Sequence, residues 1–230
     1  MTAVPRAPEP LVLIGSGGFG RETVEVVRAI NAACDGAPRW DLLGFLDDDA
    51  GRWGTERSGT RILGGIDALS ELAEPAVVVC TGHPGDYTSK QRIVERLDLP
   101  PERYATLVHP TAAVPASCAL GEGAVVLAGV VATVDVRVGA HAGIMPHVVL
   151  THDDRLDDYV TVGAGARVAG AVHVRDGAYL GSGCLIRENL TIGPWALVGM
   201  GAVVTRDVPG GEVWAGTPAR YVRRVERTGL

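Results

Sequence analysis

Residues 162–198 read VGAGAR VAGAVH VRDGAY LGSGCL IRENLT IGPWAL V, with Val, Leu or Ile opening every block of six. Neither the 3.6-residue period of a helix nor the two-residue period of a strand produces that row. Followed outward, the comb runs from Val108 to Val204, where sixteen of seventeen sixth positions are aliphatic and only Ala132 breaks it. A second column, four residues after each aliphatic, is small or apolar at Cys118, Ala124, Ala142, Ala166, Val172, Ala178, Cys184, Ala196 and Ala202. Internal repeats of six residues are the signature of a parallel β-helix, in which three blocks, about eighteen residues, close one triangular coil. The two columns then fill a narrow interior. Glycine often follows the aliphatic, as at Gly121, Gly139, Gly163, Gly181, Gly193 and Gly199, so left-handed corners are expected there.

Before Tyr104 the pattern is different. An apolar strand at Leu11, Val12, Leu13 and Ile14 is followed by the turn Gly15-Ser16-Gly17-Gly18-Phe19-Gly20 and a helix through Val24, Val27 and Ile30. A second strand at Leu42 to Leu46 ends in Asp47-Asp48-Asp49, Ala76 to Cys80 is a β-branched run suited to a strand buried on both faces, and Ser89 to Leu97 has a helical pattern. The expected organisation is an α/β Rossmann-like βαβαβ domain over residues 1–106, an all-β parallel β-helix over 107–209, and a C-terminal cap over 210–230.

A net charge of −6 and aromatics at 5% argue against a nucleic-acid surface. The first ten residues hold three prolines and no apolar core of a signal peptide, and no later run approaches membrane-spanning length. The expectation is a cytoplasmic protein with no membrane contact. Cys34, Cys80, Cys118 and Cys184 lie far apart without CxxC spacing, so neither a metal site nor a disulfide framework is expected.

One coil departs from the apolar rule. In Leu150-Thr151-His152-Asp153-Asp154-Arg155 the second column holds Asp154, and His152 falls between the inward columns, facing outward. Imidazole is suited to taking a proton near neutral pH, and an adjacent carboxylate fixes its tautomer. His152 is therefore a candidate general base with Asp153 as its partner; the alternative is a solvated acidic face. His147 is a candidate second wall of the same pocket. His141 and His173 are expected at the surface, and His109 at entry into the first coil.

The glycine turn follows a strand and opens a helix, where backbone amides hold phosphate. Gly15, Gly17, Gly18 and Phe19, with Asp47 and Asp48 at the end of the second strand, are candidate nucleotide contacts. About a hundred residues precede the comb, too few for a doubly wound dinucleotide domain, which favours a mononucleotide over NAD. Arg220, Arg223, Arg224 and Arg227 would share one helical face and offer a basic patch for phosphates, or a solvated end cap.

In this order the segments resemble the sugar acyltransferase family of sialic acid O-acetyltransferases and N-acetyltransferases of nucleotide-linked 4-amino sugars. The resemblance rests on Ile14 to Glu22, Gly44-Phe45-Leu46-Asp47-Asp48, Leu63-Gly64-Gly65, His109-Pro110-Thr111-Ala112, the comb, and Ala215-Gly216-Thr217-Pro218-Ala219-Arg220. It implies that the β-helix is left-handed, that the chain forms a homotrimer, and that acetyl-CoA lies in the groove between subunits. The family's catalytic His and acidic residue fall on His152 and Asp153. Gly170, Gly181, Gly199, Gly201 and Arg220 would line the coenzyme path, and the glycine turn would hold a nucleotide sugar. A second His of many members is here Thr161, whose hydroxyl can give the same hydrogen bond to the acetyl carbonyl; Ile144-Met145-Pro146-His147 reshapes the acceptor pocket. The implied reaction is acetyl transfer to the amine of a nucleotide-linked amino sugar in a ternary complex. O-acetylation of a sugar hydroxyl is the alternative, a trimeric scaffold a further one, and an NAD-dependent oxidoreductase a distant third.

Overall fold

The computed structural model describes residues 7–82 and 85–225. Strand β1 (Glu9–Ile14) leads through the glycine turn into helix α1 (Gly18–Ala32), which returns to β2 (Trp40–Leu46). A small antiparallel pair follows, β3 (Glu56–Arg57) and β4 (Thr60–Gly64), then β5 (Ala76–Val79) and helix α2 (Ser89–Leu97). The sheet order is β3-β4-β2-β1-β5, with β1 between β2 and β5 and parallel to both. Leu11, Val12, Leu13 and Ile14 have no exposed surface, as a continuous apolar run between two covered faces requires. The second crossover of the expected βαβαβ unit is not an α-helix. β3, β4 and a 3-10 turn at Ile66–Glu71 fill that connection, and α2 comes after β5.

From Leu107 onward the chain winds as a three-faced prism of two-residue parallel strands. Face I carries Leu107–Val108, Val125–Val126, Gly143–Ile144, Thr161–Val162, Tyr179–Leu180 and Leu197–Val198. Face II carries Val131–Ala132, Val149–Leu150, Arg167–Val168, Leu185–Ile186 and Val203–Val204; face III carries Ala119–Leu120, Arg137–Val138, Arg155–Leu156, His173–Val174 and Thr191–Ile192. Each residue pairs with the one eighteen places on, as Gly143 does with Thr161 and Thr161 with Tyr179. The comb points inward: Val162, Val174, Leu180 and Ile192 are fully buried, and Ala132, the one break, is buried too. At about 1.5–3 kcal/mol for each aliphatic side chain removed from water, this row is the main source of the prism's stability.

The corners differ from expectation. The left-handed residue lies three places after each aliphatic, not one: Gly123, Gly129, Asp135, His141, His147, Asp153, Tyr159 and on to Gly201 all have φ between 56° and 70°. The glycines directly after the aliphatic serve close stacking instead. A Cβ at Gly121, Gly139, Gly163 or Gly181 would lie 2.5 Å from an atom of the next coil.

The N-terminal domain covers face I. Phe19 packs on Gly143, where a Cβ would come 3.1 Å from its ring, and the Tyr87 hydroxyl donates to the Trp195 carbonyl at 2.8 Å. His141 is thereby buried rather than at the surface. Its ring stacks on Tyr159 at 5.4 Å and meets Tyr104 edge-on at 4.5 Å. Burial, and then the neighbouring Lys90 ammonium, push it down to about 4. Lys90 itself is buried, donates to the His141 carbonyl at 2.7 Å, and is lowered by burial to about 8. His173 is half-buried on face III, 2.8 Å from Asp157. The outward row of face II, in contrast, is uncovered and apolar except at Arg167, with Val131 and Leu185 37% and 42% exposed.

The C-terminal arginines do not lie on a helix. Glu212–Gly216 extends face I in parallel to Leu197–Val198, and Ala219–Arg224 folds back antiparallel to it, because Thr217 and Pro218 turn the chain. Arg220, Arg223 and Arg224 are on that last strand; Arg227 lies outside the described residues. No helix among the described residues is long and apolar enough to cross a membrane.

Candidate active site

A cleft of about 710 Å³ opens between the N-terminal domain and face I. Gly15, Gly17, Gly18, Phe19, Asp47 and Asp48 line one side, and Met145, Pro146, Thr161, Gly163, Tyr179 and Ser182 the other. The turn's glycines have separable reasons. Gly15 needs its left-handed φ of 96° and sits against Thr81 and Cys80, and a Cβ on Gly20 would run into the Gly15 carbonyl. Gly17 and Gly18 have no atom within 4 Å of where a Cβ would be. Gly17 also caps α1 without a side-chain hydrogen bond, and Gly17 and Gly18 line the cleft, so a fifteen-residue helix begins at its wall. Unpaired amides at the positive end of a helix are suited to a phosphate.

The two carboxylates at the end of β2 brace this wall. Asp47 accepts from the Ser16 amide at 2.8 Å and the Ser16 hydroxyl at 2.5 Å, and its second oxygen accepts from the Asp49 amide. Burial pushes its carboxyl up, but the Ser16 and Asp49 hydrogen bonds and the Arg52 guanidinium outweigh it and hold it below the ordinary range. Asp48 accepts from the Ile66 amide and pairs with Arg96 at 2.7 Å. Sequence reasoning did not single out Ser16, Arg52, Tyr179 or Ser182. Tyr179 was accessible, since eighteen residues beyond Thr161 is the same row of the same face.

Thr161 is 3% exposed and lines the cleft. His147 is exposed at the edge between faces I and II, with its ring over Gly129. Gly181 and Gly199 follow face I strands and Gly201 turns the same edge as His147; Arg220 is exposed on the closing hairpin.

His152 and Asp153 lie elsewhere, on the turn from Val149–Leu150 to Arg155–Leu156, the edge between faces II and III that is opposite face I. His152 Nδ1 is 2.9 Å from Asp153 Oδ2, both side chains are more than 60% exposed, and the ring lies over Gly170 of the next coil, where a Cβ would collide with it. Asp153 takes the left-handed corner, φ 62°, a conformation Asp tolerates better than most residues. One ring nitrogen is thus held against a carboxylate, which fixes the tautomer and suits the ring to accepting a proton, and Nε2 is the ring atom nearest Gly170. Asp154 is fully buried in the interior column; burial pushes its carboxyl up to about 7, against the Val172 and Thr151 amides that pull it down. Within one chain the His152 edge and the glycine-turn cleft do not meet.

Residues 10–97 match the family described as PglD N-terminal domain. The chain is 32% identical to GDP-perosamine N-acetyltransferase of Escherichia coli O157:H7, over 92% of this chain and 96% of that protein. Among solved structures, PerB from Caulobacter crescentus in complex with CoA and GDP-perosamine superposes with a TM-score of 0.82 at 30% identity, covering 94% of this chain and 98% of that one. The acetyltransferase domain of PglB from Neisseria gonorrhoeae FA1090, in complex with acetyl coenzyme A, gives 0.81 at 25% identity over 94% and 100%. A glycine-turn domain seated on a six-residue-repeat prism, matched almost end to end by such a relative, places this chain in the nucleotide-amino-sugar N-acetyltransferase family of hexapeptide-repeat acyltransferases.

Proposed function

We propose that the protein transfers the acetyl group of acetyl-CoA to the amine of a nucleotide-linked amino sugar. The observation that carries this reading is the open glycine-turn cleft, with its uncapped helix amides, in a chain that matches an N-acetyltransferase over 92% of its length. The nucleotide diphosphate would lie against Gly17 and Gly18, with the sugar reaching along face I towards Thr161. His152, held by Asp153, would accept the amine proton as nitrogen attacks the thioester carbonyl, and the coenzyme thiolate leaves. The Thr161 hydroxyl would donate to the acetyl oxygen. Positioning of two bound substrates and a general base adding about 10²- to 10⁴-fold account for the rate without a covalent enzyme intermediate.

His152 and the cleft are on opposite sides of one prism, so this chemistry requires the cleft of one subunit to face the His152 edge of another. The uncovered row of face II, which borders that edge and is apolar at Val131, Val149, Leu185 and Val203 around Arg167, supports such packing. A homotrimer is the proposed assembly, with acetyl-CoA between subunits along Gly170, Gly181, Gly199 and Gly201 and its phosphates near Arg220. The proposed setting is the cytoplasm.

The test is consumption of acetyl-CoA by the purified protein with GDP-, UDP- and dTDP-linked amino sugars and the matching hydroxyl sugars. Turnover with an amino sugar, GDP-perosamine first, is expected; turnover with hydroxyl sugars alone would move the reading to O-acetylation. Light scattering is expected to give three chains per particle, and a monomer would contradict a shared site.

A further inference from the structure

The interior column at the edge between faces II and III runs Cys118, Val136, Asp154, Val172 and Leu190, with a carboxyl in the middle of apolar neighbours. A valine or a smaller residue would fill this place at no cost, whereas a buried carboxyl is expensive. Such a breach of the local rule is expected where function demands it.

The carboxyl also rewrites the hydrogen bonding of the coil. In twelve successive blocks, from Gly121 to Arg187, the residue after the aliphatic faces a carbonyl eighteen places beyond that aliphatic. Eleven of them donate their amide to it, as Gly139 does to Leu156 and Gly163 to Leu180; Thr151 is the exception. The Thr151 amide turns to Asp154 Oδ2 at 2.8 Å, and the Thr151 hydroxyl takes over the Val168 carbonyl at 3.0 Å. Asp154 Oδ1 accepts from the Val172 amide of the next coil at 3.0 Å. Both oxygens are engaged by backbone, one within the corner and one across to the coil that carries Gly170. The path of residues 151–154 is therefore set by a side chain, in the one block that carries the His152–Asp153 pair.

We propose that Asp154 is a positioning residue for acetyl transfer, its buried carboxyl shaping the 151–154 corner so that the His152 ring rests on Gly170 with Nδ1 against Asp153. The inference rests on the reading of His152 as the base. The titratable groups in reach of Asp154 are His152 and Asp153, while the coils on either side present Val136 and Val172. Asp154 touches neither substrate, so its effect passes through the placement of the ring, where a displacement of about 1 Å is worth about 100-fold in rate.

The experiment uses the full chain and four variants: D154S, D154N, H152A and the double variant D154S/H152A. Serine returns the column to a small residue and frees the Thr151 amide for the regular rung; asparagine keeps the shape but offers one acceptor where two amides converge. Kinetics use acetyl-CoA with GDP-perosamine, and the His152 ring is followed by its Cε1–H resonance, identified by its loss in H152A. The expected result is a kcat lowered about 30-fold in D154S and about 10-fold in D154N, KM values within twofold, no loss of melting temperature, and a moved ring resonance. In the H152A background D154S should cost nothing further. The inference is overturned if D154S leaves the resonance and kcat unchanged, if activity falls only with folded protein, or if the loss is as large without His152. Parent-like turnover in H152A would instead sink the base assignment, and the ring resonance would still decide whether Asp154 seats His152.

Discussion

His141 and His152 occupy neighbouring places in the same repeat, yet they have opposite chemistry. His141 turns the edge that the N-terminal domain covers; it is buried between Tyr104 and Tyr159 beside an ammonium and is held neutral. His152 sits on the far edge, exposed, with a carboxylate at its Nδ1. The repeat supplies both with a position but not with a role. What separates packing from proton transfer is which edge of the prism another body covers.

The largest expected effect breaks the comparison at His152. Replacing it with alanine should lower kcat by about 10²- to 10⁴-fold, while acetyl-CoA binding by calorimetry and the melting temperature stay near those of the parent. The same substitution at His141 should do the reverse. It should lower stability by about 2 kcal/mol through lost stacking and a cavity, seen in urea unfolding, with turnover per folded molecule kept. Parent-like stability in H141A would remove the distinction.

A smaller effect is expected at Gly170. A methyl there would occupy the space of the His152 ring, so G170A should reduce kcat about 10-fold with little change in melting temperature. A loss confined to KM for acetyl-CoA would leave Gly170 its proposed place on the coenzyme path and remove its part in seating the His152 ring.

The remaining effects are in the pH dependence of stability, and they have opposite signs. His141 is lowered from 6.5 to about 4, so the folded state binds fewer protons than the unfolded chain between those values, and its contribution is lost as pH falls through them. Asp154 is raised from 3.8 to about 7, so the folded state binds more protons over that range, and stability is lost as pH rises through it. Melting temperatures from pH 4 to 8 should show D154S gaining on the parent as pH rises, and H141A losing least relative to the parent at the acid end.

The prism was legible because its code is local: an inward aliphatic every six residues and a small residue four places later specify the interior without knowledge of the rest. The departure at His152, Asp153 and Asp154 was legible for the same reason, since a carboxyl in an apolar column stands out. Outward positions carry no such code. His141 was expected at the surface because nothing in its own block announces α2 and Tyr104 against it. A signal does exist at longer range: the outward row of face I reads Leu107, Val125, Gly143, Thr161, Tyr179, while that of face III reads Ala119, Arg137, Arg155, His173, Thr191. Sorting outward residues by eighteen would have set face III apart as the solvated one and left faces I and II as the candidates for cover. The C-terminal arginines were misassigned because a three-residue spacing suits a helix, and the turn at Thr217 and Pro218 that makes a hairpin was given less weight.

That hairpin has a consequence for how the molecule behaves in a crowded solution. A stack of parallel coils has no inherent length limit, and its last rung presents unpaired amides and carbonyls to any strand of a neighbouring molecule. Here the last strand of face I reverses direction and ends the parallel register. Its outer edge carries Arg220, Arg223 and Arg224. Two such ends approaching each other bring Arg220 and Arg223 of each chain together, with Arg224 paired to Glu212, so edge-to-edge pairing of these ends is opposed by the same few residues that close the prism.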